Sequence, residues 1–247
     1  MPKKINIKGE IIPNDYKWIY DLFDIENTSP GDVEKALKEA NGEDIEVIIN
    51  SPGGDVFSGS EIYTLLKEYK GKSVGKIVGI AASAASVIAM GVDKLYISPT
   101  AEIMIHNVQS QARGDYRDFE HEAGVLKDYN STIANAYLLK TGMSKEELLD
   151  LMDNETWLTP QQALEKGFVD EIMFNDGKIR LTASIKQSTL PINVINKMRS
   201  LKVKGLLNLK DNQEPNDNPP DSQQGKEADI LLAKLILLKL KGEIDNE

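Results

Sequence analysis

The sequence predicts an α/β fold with a largely parallel sheet. Three observations carry this. Residues 44–50 (DIEVIIN) form an apolar, β-branched run bounded by turn residues, as a buried strand should. Segments of strand and helix character alternate through the first two thirds of the chain, which is the βαβα order of a parallel sheet. After the strand-like stretch 73–80 comes a helix-like stretch of very small residues, 81–90, suited to lying close against a sheet.

Taken in order, residues 4–12 read as a short strand and 16–23 place aromatic and aliphatic side chains at helical spacing. Ser29-Pro30-Gly31-Asp32 opens a helix running to about Ala40. The strand 44–50 ends in Ser51-Pro52-Gly53-Gly54-Asp55, which reads as a sharp turn, and 58–69 returns to helical periodicity. Strands are expected over 73–80 and 94–97, and Met104 to Asn107 closes another apolar strand. Residues 116–139 form a long helix-compatible stretch, and Ser144-Lys145-Glu146-Glu147 begins a further helix with capping-box chemistry. Thr159-Pro160 starts one more, ended by Gly167, and 169–173 is the last strand. The folded domain is expected to span 1–185, followed by a connecting segment 186–209. Residues 210–226 (KDNQEPNDNPPDSQQGK) have no apolar side chains beyond proline and read as a disordered linker. Residues 227–247 carry a Leu-rich amphipathic C-terminal helix.

Composition narrows the function classes. A chain of 247 residues with 40% hydrophobic content can bury a sizeable core. Its net charge of −10 argues against nucleic-acid binding, which needs a basic surface. With no cysteine, disulfides, thiolate-bound zinc and thiol catalysis are excluded, and a reducing compartment such as the cytoplasm is the simplest setting. No segment approaches the ~20 apolar residues of a membrane span, and no apolar run follows the basic N-terminus as in a signal peptide. No cofactor and no metal site are expected.

Three segments carry chemistry. Asn50-Ser51-Pro52-Gly53-Gly54-Asp55 ends a buried strand, and its adjacent glycines can present backbone N–H groups unobstructed. Gly79-Ile80-Ala81-Ala82-Ser83-Ala84-Ala85-Ser86 sets a serine at a strand-to-helix junction, where a helix N-terminus adds partial positive charge. Met104-Ile105-His106-Asn107 puts one of the two histidines at the end of an apolar strand. Taken singly, each has a bland reading: a tight turn, close helix packing, a structural histidine. Together they supply a nucleophile, a base and oxyanion donors, the set that acyl transfer requires. His121 is a competing base, but it sits in a charged helical stretch suited to solvent. Ser86, one turn beyond Ser83, is a competing nucleophile expected to pack against the sheet.

The sequence resembles ClpP, the proteolytic subunit of Clp proteases, from about Lys4 to Met173. The resemblance rests on INSPGG (49–54), GIAAS (79–83), MIH (104–106) and TWLTPQQALEKGFVDEI (156–172). It implies the ClpP/crotonase-like fold of stacked ββα units, with a protruding helix that joins subunits into homo-oligomeric rings. It also implies Ser83 as nucleophile, His106 as base, and the N–H groups of Gly54 and Ala84 as the oxyanion hole. The family's triad aspartate falls at Glu155, so the triad reads Ser-His-Glu, with Asp153 as the alternative third member.

Within that family the AASAAS serine segment, the ETW segment and the tail resemble the head maturation (prohead) proteases of tailed phages. The expectation is an ATP-independent serine endopeptidase that cleaves capsid or scaffold precursors in the host cytoplasm, inside the assembling procapsid. Its partners would be protein substrates and copies of itself, without nucleic acid or membrane. The alternative is a ClpP-type protease coupled to an AAA+ unfoldase, which the short N-terminal segment weighs against. Two further readings are a crotonase-type acyl-CoA enzyme, which needs no Ser83/His106 pair, and a non-catalytic ring scaffold.

Overall fold

The structure is a computed structural model, and it describes residues 2–174. The expected end of the domain to 185, the connecting segment, the linker 210–226 and the C-terminal helix 227–247 lie outside the described residues. The elements are β1 (Lys3–Ile11), α1 (Lys17–Leu22), β2 (Asn27–Thr28), α2 (Pro30–Ala40), β3 (Ile45–Gly54), α3 (Val56–Glu68) and β4 (Ser73–Ala82). They continue with α4 (Ala84–Ala89), β5 (Lys94–Ile97), β6 (Glu102–Ile105), α5 (Tyr116–Thr141), α6 (Lys145–Asp153), β7 (Thr156–Leu158), α7 (Pro160–Glu165) and β8 (Glu171–Ile172).

Seven of the eight strands pair in parallel, in the order β2-β1-β3-β4-β5-β8 with β6 joined to β4. Only the β6–β7 pair is antiparallel among the described residues. The predicted α/β class, with helices packed on a mostly parallel sheet, is therefore what the chain adopts. β4 serves two neighbours in turn: Val74 to Ile77 pair with β5, and Ile80 to Ala82 pair with β6. One strand thus serves two neighbours on the same side, and the sheet branches where the chemistry-bearing segments meet.

The core is aliphatic. Ile7, Val47, Ile49, Ile77, Leu95, Ile97, Ile103 and Ile105 are fully buried along successive strands, with Ile62, Leu66, Ile88 and Phe168 from the helices and loops. Caps set where helices start. Ser29 and Asp32 form a reciprocal box at α2, Asp115 and Asp118 at α5, and Thr159 and Gln162 at α7. At α6 Ser144 accepts from the Glu147 N–H without the return bond, so the capping box expected there is only half formed.

At two boundaries the difference from the sequence reading has the same cause. Residues 51–54 are not a turn but the extended end of β3, because Glu10 and Ile11 pair with Gly53 and Gly54 while Ser51 pairs with Ala81. Ala81 and Ala82 are strand rather than helix, because they pair with Ile103 and Met104 of β6. In both places tertiary pairing overrides local turn and helix propensity.

Candidate active site

Ser83 caps α4 directly after β4, with φ 53° and ψ −126°. A non-glycine residue held there costs roughly 1–3 kcal/mol, so its surroundings must impose it. They do. The Ser83 N–H donates to Met104 O at 2.9 Å, and the Ser83 carbonyl accepts from the N–H of Ser86 at 2.9 Å and of Val87 at 3.4 Å. Ser86 Oγ also donates to that carbonyl at 2.6 Å. The side chain is left at the tip of a sharp elbow, clear of its own helix. His106, the first residue past β6, brings Nε2 to 2.8 Å from Ser83 Oγ. The two residues lie side by side because Ala82 pairs with Met104, which sets both strand ends level.

The NSPGG segment builds the neighbouring wall. The Asn50 side chain accepts from the Ile80 N–H at 3.2 Å, bridging a register shift between β3 and β4. Ser51 Oγ donates to Gly9 O at 2.6 Å and accepts from the Gly53 N–H at 3.1 Å. Gly53 (φ 97°) presses on the elbow. A Cβ there would stand 2.6 Å from Ala82 O, 2.7 Å from Ser83 Cβ and 3.0 Å from Ala84 N. Glycine at 53 thus keeps the Ala84 N–H uncovered, and as the first residue of α4 Ala84 has no acceptor within the helix. Gly54, Ser83, Ala84 and His106 line one open cavity of about 500 Å³.

The small residues of α4 have a packing role as well. A Cβ on Gly59 of α3 would come within 2.9 Å of Ala84 Cβ, so the two helices meet almost backbone to backbone. Close helix packing, the bland reading of these alanines, is thus observed.

Ser86 is fully buried and exchanges a 2.8 Å hydrogen bond with the Tyr137 hydroxyl of α5. It is tied to α5, and it is not among the residues that line the cavity. Burial pushes the Tyr137 phenol well above the usual tyrosine range, so it stays protonated. His121 is exposed on α5 and absent from the cavity wall.

The carboxylates divide. Asp153, at the end of α6, accepts from Asn107 Nδ2 at 2.7 Å. Glu155 sits in the left-handed region (φ 44°), with Oε1 3.4 Å from Trp157 Nε1. Among the described residues, Ser83 is the hydrogen-bond partner of the His106 ring, so neither candidate third member is hydrogen-bonded to it. Register nevertheless favours Glu155. The last antiparallel pair is Ile105 with Thr156, and His106 and Glu155 are the residues next beyond it.

Sequence reasoning missed three supports: Ser51 as the stitch, Gly53 as the spacer, and α5 as a wall. Val87 and Met104 join Leu126, Tyr129 and Ile133 in an apolar lining, and Phe57 meets Tyr129 edge-on at 5.3 Å. The Val108 N–H donates to Asn130 Oδ1 at 2.8 Å, fastening the segment after His106 to α5. The i, i+3, i+4 spacing of 126, 129, 130 and 133 was available as a signal, but it reads equally well as ordinary core.

Comparison with known proteins settles the family. The Clp protease family profile matches residues 35–176, more than half of the chain. This chain belongs to the Clp protease family. Similar chains include the ATP-dependent Clp protease proteolytic subunit of Deinococcus radiodurans, 32% identical over 133 residues, covering 53% of this chain and 65% of that one. Subunit 2 of Tropheryma whipplei is 32% identical over 132 residues, covering 53% and 73%. Among solved structures, a point mutant of ClpP1 from Listeria monocytogenes superposes with a TM-score of 0.57 at 26% identity, covering 71% of this chain and 93% of that one. This chain thus spans just under two thirds of the Deinococcus relative.

Proposed function

We propose that this chain is a serine endopeptidase whose nucleophile is Ser83. The observation that carries the reading is the 2.8 Å contact between Ser83 Oγ and His106 Nε2, made at a strained elbow that opens on a cavity. In the proposed reaction His106 Nε2 takes the Ser83 proton as Oγ attacks the scissile carbonyl. The oxyanion that forms accepts hydrogen bonds from the backbone N–H groups of Gly54 and Ala84. The imidazolium then protonates the departing amine, leaving an acyl-serine. Water enters, gives a proton to His106 and releases the acid, and Ser83 recovers its proton. Glu155 is the group assigned to stabilise the imidazolium.

For substrates, the reading is ATP-independent cleavage of phage capsid or scaffold precursors by ring-shaped homo-oligomers. It is supported by the resemblance of the AASAAS (81–86) and ETW (155–157) segments to head maturation proteases. A second reading, a peptidase served by an ATP-driven unfoldase, is favoured by the names of the relatives, which are ATP-dependent proteolytic subunits.

Fluorophosphonate labelling with mass mapping tests the chemistry, and the expected adduct is on Ser83 alone. Ser83→Ala should lose all labelling and peptide hydrolysis while its oligomeric size is unchanged. Labelling of Ser83→Ala at another serine would refute the assignment. Co-expression with a capsid precursor separates the two substrate readings: processing in a host lacking Clp unfoldases supports the first, and dependence on an added unfoldase supports the second.

A further inference from the structure

The cavity wall has a polarity gradient that the proposed reaction does not use. The wall supplied by α5 runs Tyr137, Ile133, Tyr129, Leu126, Glu122, one face of the helix at successive turns. Near the elbow it is apolar, and at its far end stands a carboxylate. Glu122 is partly buried, and it has neither a hydrogen bond nor an ion pair among the described residues. No lysine or arginine among the described residues lines the cavity. The other acid there, Asp55, is engaged as the cap of α3, accepting from the Ser58 N–H at 2.7 Å and from Ser58 Oγ at 2.5 Å. Among the described residues, Glu122 is therefore the one carboxylate on the wall without a hydrogen-bond partner.

Its distance from the reacting atoms follows from helix geometry. Val108, two residues past His106, is fastened to Asn130, so the histidine side of the cavity meets α5 near residue 130. Glu122 is eight residues back along the helix, roughly 12 Å at 1.5 Å per residue. An extended peptide rises about 3.3 Å per residue, so Glu122 faces a side chain roughly three to five residues from the bond cut.

We infer that Glu122 is a specificity-determining residue that selects a lysine or arginine at that distance from the scissile bond. A partly buried acid lining a groove gains little from a neutral partner, pairs with a substrate cation and repels a substrate carboxylate. The inference rests on the peptidase reading for its substrate, and it predicts discrimination in binding as well as in cleavage.

The test uses the full chain and a set of quenched fluorescent peptides that carry Lys, Gln or Glu in turn at each of five positions on either side of a fixed cleavage centre. At one position, three to five residues from the cut, the wild type should prefer Lys to Glu by about fivefold to tenfold in kcat/KM. The ratio should fall to about one in Glu122→Gln and invert in Glu122→Lys, and it should shrink as salt screens the pair. The same peptides are titrated by fluorescence anisotropy against Ser83→Ala, with and without Glu122→Lys. A Lys preference that inverts in this binding assay supports the inference even where no peptide is hydrolysed, an outcome that would count against the peptidase reading instead. Equal binding of the Lys and Glu peptides, or a preference unaltered by Glu122→Lys, overturns it.

Discussion

Removing the Ser86 hydroxyl should cost more stability than removing its partner, and the reason lies in who is left unpaired. Tyr137 is fully buried, and its hydroxyl meets Ser86 Oγ at 2.8 Å. The Ser83 carbonyl can only accept, so the Ser86 hydrogen goes to it and Tyr137 donates to Ser86 Oγ. Ser86→Ala therefore strands a phenol in the core, at a cost of about 1–3 kcal/mol. Tyr137→Phe leaves Ser86 donating to Ser83 as before and should cost only about 0.5–1.5 kcal/mol. The double variant removes both polar groups, so it should be more stable than Ser86→Ala alone by roughly 1 kcal/mol. Urea denaturation followed by circular dichroism reads the three differences. Labelling should survive in Ser86→Ala within about tenfold, roughly 1.4 kcal/mol of barrier, since the Ser86 and Val87 N–H groups still hold the Ser83 carbonyl. Strict additivity in the double variant, or a Tyr137→Phe penalty exceeding that of Ser86→Ala, would refute the reasoning.

Two further outcomes follow from the elbow and its neighbours. Gly53→Ala should abolish serine labelling while the chain still folds, because its methyl would press on Ser83 Cβ and cover the Ala84 N–H; unchanged labelling rates would show that this approach does not matter. Glu155→Gln should lower kcat by about a hundredfold or more with little change in KM, since imidazolium stabilisation acts mainly in the transition state, whereas Asp153→Asn keeps an oxygen for Asn107 and should stay active. Steady-state kinetics on a small peptide ester measures both, and the reverse pattern would hand the role to Asp153.

Much of the fold was legible because its buried strands announce themselves. The run 45–49 is apolar at every alternate position and mostly β-branched, so the strand could hardly be missed, and Lys94–Ile97 matched to the residue. The short strands were not legible. Asn27–Thr28 and Thr156–Leu158 are too brief for any periodicity and exist only because a neighbour offers a ladder. The ends of β3 and β4 were misread for a related reason. Glycine, proline and alanine there speak locally of turns and helix, yet their backbone groups are claimed by β1 and β6. At the site, Ser83 and His106 could be paired from motif chemistry, because few residue types can serve as nucleophile and base. Gly53 and Tyr137 could not, because what they do depends on contacts between distant segments.

What no reading along the chain could supply is the row in which the three candidate triad members stand. Ser83 follows β4, His106 follows β6 and Glu155 precedes β7, and these three strands are neighbours in that order. The parallel pairing of Ala82 with Met104 sets Ser83 level with Ile105. The antiparallel pairing of Ile105 with Thr156 then makes His106 and Glu155 the residues next beyond the last pair. Both flanking residues have positive φ, 53° at Ser83 and 44° at Glu155, so the chain is strained on either side of the histidine. Strain of this kind persists only where the surrounding pairing imposes it, and it gathers where function needs an exposed side chain. Asp153 shows no such sign: it ends a regular helix and is satisfied by Asn107. Position in the row and backbone strain together make Glu155 the stronger candidate for the third place, even though its carboxylate rests on Trp157.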